Sequence, residues 1–162
     1  MGEAKRRKVA GTETIQVSYG RRLVAAAATH FFNKFVQPIR FTGGCYYIST
    51  SLRYYLGTEH GLTVETIAGF SRPEKPGYRW NSHMWLEFEG QITDIAICMA
   101  EPPDFPGRML VDGKEVGDGE KILYSKERPN DGVPVDVDMP GNVGKHARKE
   151  HEFFTNLSKG GA

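Results

Sequence analysis

The stretch Ser82-His83-Met84-Trp85-Leu86-Glu87-Phe88-Glu89-Gly90-Gln91-Ile92-Thr93-Asp94-Ile95-Ala96-Ile97 decides how this chain folds. Residues from Trp80 to Phe88 alternate in polarity, and so do residues from Gln91 to Cys98, which is the period of half-buried strands. Glu89-Gly90 between them reads as a two-residue hairpin turn. With that turn, Phe88 pairs with Gln91, Trp85 with Asp94 and His83 with Ala96. Paired residues share a face, so His83, Trp85, Asp94 and Ala96 are expected on one side of the sheet. Diagonal neighbours lie roughly 7–8 Å apart, within reach for an imidazole and a carboxylate to meet. A three-residue turn would send Asp94 to the opposite face.

Upstream, Thr42-Gly43-Gly44-Cys45 opens an apolar segment that predicts a helix from about Gly44 to Leu56. Thr42 is its expected N-cap and Gly57 its stop. Cys45, Ile48, Leu52 and Leu56 share a face, so the thiol sits at the helix N-terminus on the core side. Partial positive charge and unpaired N–H groups there favour a thiolate and can receive an oxyanion. An earlier helix from about Ser18 to Gln37 carries the stripe Leu23, Val24, Ala27, Ala28, Phe31, Phe32, Phe35, Val36, with His30 on its polar face and Pro38 at its end. Leu62 to Arg72 reads as a strand and Ser71 to Tyr78 as a loop. Further on, Met109 to Val116 reads as a hairpin turning at Asp112-Gly113, and Lys121 to Lys126 as another strand. Residues 128–144, rich in Pro and Gly, are expected to lie over the domain or act as a lid. A last helix is expected from about Val143 to Leu157, with Val143, Ala147, Phe154 and Leu157 as its packing stripe.

The order of elements implies an α+β fold, with N-terminal helices packed on an antiparallel sheet. Residues 1–17 are expected to form a basic, flexible arm and 18–162 a single domain. The 162 residues are 39% hydrophobic and 25% charged with a net charge of +1, ordinary for a globular protein and pointing to no polyanionic partner. Lys5-Arg6-Arg7-Lys8 is a solvated charge run, or at most a weak nucleic-acid contact. No run approaches the roughly 20 apolar residues of a membrane span, and the N-terminus lacks a secretory core. Two cysteines make no disulfide framework, so the expected compartment is the reducing cytoplasm.

A thiol at a helix start, a strand histidine and an acid on the next strand are the parts of a Cys-His-Asp nucleophile system: Cys45, His83 and Asp94. The bland alternative is a core cysteine with unrelated polar residues. Cys45, His83, Asp94 and Cys98 also have acceptable types for a zinc site. However, His146 and His151 are five apart rather than four, and Asp136-Val137-Asp138 lacks a full calcium loop, so neither metal nor cofactor is expected.

Gly-Gly-Cys at a helix start, His83-Met84-Trp85-Leu86-Glu87-Phe88 on a strand and Asp94 on the next resemble the transglutaminase-like superfamily, a rearranged branch of papain-like cysteine enzymes. The resemblance covers about 55 residues, and no tryptophan precedes the cysteine. The first eight residues also resemble the start of many small bacterial and phage proteins. The family resemblance implies a papain-like core in which Cys45 attacks a carbonyl to form a thioester, His83 moves the proton and Asp94 holds the imidazole. Gly44, Trp80 and Trp85 would contact substrate or oxyanion, with Asn33 and Gln37 as further guesses for an oxyanion side chain. The substrate would be a protein, peptide or small amide, and the acceptor water or an amine. Such a superfamily also contains members that keep the fold as non-catalytic binding modules.

Overall fold

The computed structural model describes residues 17–39, 44–97, 109–117 and 119–135. The expected arm, Thr42, Gly43, Cys98, the 136–138 acids, His146, His151 and the last helix lie outside these residues.

The first helix, α1 (Tyr19–Phe31), starts where the Ser18 side chain accepts a hydrogen bond from the Arg21 N–H at 3.1 Å. Its buried face is Val24, Ala27, Ala28 and Phe31, while His30 is exposed. The helix then widens into a π-helical segment, Phe32–Val36, before a final turn, α2 (Gln37–Ile39). The sequence pattern predicts one uninterrupted α-helix here. Pro38 explains the difference, because it offers no N–H to the carbonyl four residues back and its ring crowds that carbonyl.

The next helix, α3 (Cys45–His60), begins at Gly44 and ends at Gly61, whose φ of 64° is left-handed. Gly61 N–H bonds Gly57 C=O, the single closing bond of an αL C-cap, and Leu62 N–H bonds Leu56 C=O. The helix therefore runs past Gly57, the expected stop.

Four strands form the main sheet in the order β3-β2-β1-β6: β1 (Glu65–Pro73), β2 (Asn81–Phe88), β3 (Gln91–Thr93) and β6 (Ile122–Ser125). β4 (Met109–Val111) and β5 (Lys114–Val116) make a separate hairpin around Asp112-Gly113. Phe88 pairs with Gln91 and Leu86 with Thr93, so Glu89-Gly90 is a two-residue turn, with both residues at positive φ. β3 is shorter than the alternation predicts. At Asp94 the chain leaves β2 and exchanges both backbone hydrogen bonds with Leu110. Ala96 consequently joins the helix-facing core rather than pairing with His83.

The two faces of β2 divide the work. Leu86 and Phe88 pack against α1 and α3 in a core with Val24, Phe31, Leu52 and Leu56. His83 and Trp85 point to the other face, which the sheet curls around. Gly69 lies opposite His83 on β1, and a Cβ there would meet the Trp85 ring at 2.5 Å and the Ser125 carbonyl. Gly69→Ala should therefore destabilise the fold by about 1–3 kcal/mol, measured by urea unfolding. No described helix is long and apolar enough to cross a membrane.

Candidate active site

The departure of β3 after Thr93 leaves one edge of β2 open. In an antiparallel strand, residues two apart aim their backbone groups the same way, so Met84 N–H and C=O point where Leu86 bonds Thr93. No strand partner meets Met84 on that side, and α3 takes its place. Ser49 Oγ donates to Met84 C=O at 3.0 Å, and the Met84 N–H lies near enough to the Cys45 sulfur to lower its pKa. Cys45 and Ser49 are one helical turn apart on a single face. The Ser49 hydrogen bond thus ties this end of α3 to the backbone of β2 one residue away from His83. Sequence reading missed Ser49; its four-residue offset from Cys45 was the available signal.

On the curled face, His83 Nε2 and Asp94 Oδ2 are 2.6 Å apart, with Asp94 fully buried and His83 4% exposed. Asp94 Oδ1 accepts from the Ala96 N–H at 2.9 Å. The Tyr124 hydroxyl donates to Asp94 Oδ2 at 2.9 Å. Tyr124 reaches the acid from β6, at the opposite edge of the sheet, and its ring packs on Trp85 with centroids 5.1 Å apart. Nothing local in the sequence marks it. Tyr124→Phe should cost about 1.5–3 kcal/mol, the worth of a hydrogen bond to a charged group, read as a lower urea midpoint with an unchanged slope.

With Nε2 committed to Asp94, Nδ1 is the nitrogen left for Cys45. It is buried and has no well-aligned hydrogen-bond partner among the described residues, yet the Cys45 sulfur is near enough for the two groups to shift each other. That is a looser contact than a formed hydrogen bond. Burial pushes the thiol up, but the nearness and charge of His83, with the Met84 N–H close by, bring it below its ordinary 9.0. Burial likewise pushes His83 down, and the charge and hydrogen bond of Asp94, followed by Cys45, overcome this and raise it from 6.5 to about 10. Both shifts act in the direction that pairs a thiolate with an imidazolium.

The family comparisons add no relative. No protein-family model, curated protein or solved structure matches the chain.

The remaining expected site residues fall as follows. Gly44 is the buried N-cap of α3 and leaves the first-turn N–H groups without a side-chain cap. Trp85 is fully buried and donates its indole N–H to Glu87 at 3.2 Å. Trp80 is buried too, with its N–H on the Asp131 carboxylate at 3.1 and 3.3 Å and the Arg72 guanidinium 5.1 Å from its ring centroid. Neither indole N–H is available to an oxyanion. Asn33 and Gln37 are exposed on the first helix. Among the described residues no group of three or more acidic, His or Cys side chains is arranged to hold a metal ion, and the zinc alternative depends on Cys98, outside them.

Proposed function

We propose that this protein is a thiol-dependent acyl-transfer enzyme with a papain-like or transglutaminase-like core, in which Cys45 is acylated by an amide. The observation that carries this reading is the double engagement of His83: one ring nitrogen is bonded to buried Asp94 and the other is left to Cys45. A structural histidine needs no thiol with a lowered pKa beside it.

The chemistry balances on these groups. The Cys45 thiolate attacks the amide carbonyl carbon, and the oxyanion is received by N–H groups in the first turn of α3. As the C–N bond breaks, the His83 imidazolium gives its proton to the leaving nitrogen, so an amine departs and a thioester remains. Neutral His83 then takes a proton from water or an acceptor amine, which attacks the thioester and releases the thiolate. Asp94 stays ionised and holds the ring throughout. Mass spectrometry after exposure to a glutamine-containing peptide library tests this. A covalent acyl adduct on Cys45 that is absent from His83→Gln supports acyl transfer. Tight peptide binding with no adduct would instead favour the non-catalytic binding module.

A further inference from the structure

A groove of about 570 Å³ lies at the end of the sheet where β2 begins, between the β1–β2 connection and residues 132–134. That volume is within the usual range for ligand sites. Its walls include Arg72, Lys75, Tyr78, Arg79, Val133 and Pro134. The far wall is pinned, since Trp80 N–H bonds Pro134 C=O at 3.0 Å and Asp131 holds the Trp80 indole.

Its charge is one-sided. Glu74 pairs with Lys121 at 3.4 Å, and Asp131 lies 3.7 Å from Arg72. No described carboxylate pairs with Lys75 or Arg79, which are both exposed. Two cations therefore line the groove with no carboxylate partner among the described residues, beside the apolar Tyr78, Val133 and Pro134.

The groove also stands in a defined relation to Cys45. Cys45 and Ser49 sit at Met84, and one turn further on Arg53 reaches Thr66, which pairs with Leu86. So α3 runs toward the C-terminal end of β2, and its N-terminus points back toward Trp80 and the groove. From Trp80 to His83 is three residues of strand, about 10 Å. A small cleft beside His83 is lined by Arg72 as well, so one side chain borders both spaces.

We infer that this groove binds an acidic segment of the acyl donor, placing Asp or Glu side chains on Lys75 and Arg79 while the amide lies toward Cys45. The inference rests on the acyl-transfer reading above and adds its substrate class. An extended peptide covers the 10 Å span with about three residues.

The test uses the full chain and a fluorescent hexaglutamate peptide followed by anisotropy, with hexalysine and a thymidine hexanucleotide as comparators. Hexaglutamate should bind, hexalysine should not, and raised salt should weaken the complex. Lys75→Glu with Arg79→Glu should cost about tenfold or more in affinity, equivalent to about 1.4 kcal/mol. Lys75→Ala with Arg79→Ala should fall between. Bound hexaglutamate should also slow iodoacetamide at Cys45. Equal binding of hexaglutamate and hexalysine, tighter binding of the oligonucleotide, unaltered affinity in the double variants, or binding without protection of Cys45 would each overturn the assignment. If Cys45 reacts no faster than Cys98 with no peptide present, the acyl-transfer reading fails instead, and the two failures are distinct.

Discussion

Iodoacetamide at pH 6 should alkylate Cys45 up to about 100-fold faster than an ordinary thiol. An unperturbed cysteine of pKa about 8.5 is only about 0.3% thiolate at that pH, so a lowered pKa can raise the thiolate fraction by at most about 300-fold, less the part lost because a low-pKa thiolate is a weaker nucleophile. Cys98, read in the same sample by peptide mass spectrometry, supplies an internal comparator. The sign follows from the site: burial alone would slow Cys45, and His83 with the Met84 N–H reverses it. His83→Gln should therefore remove most of the acceleration. Acyl transfer should respond differently at high pH. Alkylation needs only the thiolate and persists, whereas amide cleavage needs the His83 proton and should decline as pH rises through about 10. Equal, slow labelling of both cysteines at pH 6 would end the catalytic reading.

The second large effect concerns Asp94. Asp94→Ala should destabilise the protein by about 3–5 kcal/mol at pH 7, because a buried imidazolium loses its counter-charge. Asp94→Asn keeps the volume and an acceptor for Ala96, and so should retain the fold more readily. In it His83 should fall toward or below its ordinary 6.5, since burial then acts without the opposing charge. The pH window follows from the raised histidine. Its unfolded value is near 6.5 and its folded value about 10, so its contribution to stability is full below 6.5 and fades as pH rises through 10. The gap in urea stability between wild type and Asp94→Asn should thus be wide at pH 6–7 and narrow by pH 10. A gap independent of pH would mean that Asp94 does not charge His83.

Much of this arrangement was legible from local pattern. The two-residue turn was legible because Glu89-Gly90 separates two alternating runs, with a three-residue turn as the competing register. The face of α3 could be placed because Ile48, Leu52 and Leu56 repeat at helical spacing. What escaped depends on partners far along the chain. The shortness of β3 follows from Leu110 capturing the backbone of Asp94. The length of α3 follows from closure at Gly61, with the helix passing through Gly57. Tyr124 reaches Asp94 only because the sheet curls, bringing opposite edges together. Trp80 and Trp85 are both buried with their indole N–H groups on Asp131 and Glu87, partners that local pattern does not reveal.

The open edge at Met84 carries a consequence for how this site can vary. The start of α3 is addressed by a peptide unit, and the side chain at position 84 has no part in the hydrogen bond that Ser49 makes to its carbonyl. Diverging sequences are therefore free to exchange Met84 for other strand-compatible residues while Ser49 and Cys45 keep their place. Proline is the exception, because it would delete the N–H that lies near the sulfur. The position of the thiol is thus inherited through backbone geometry, which leaves little trace in residue identity.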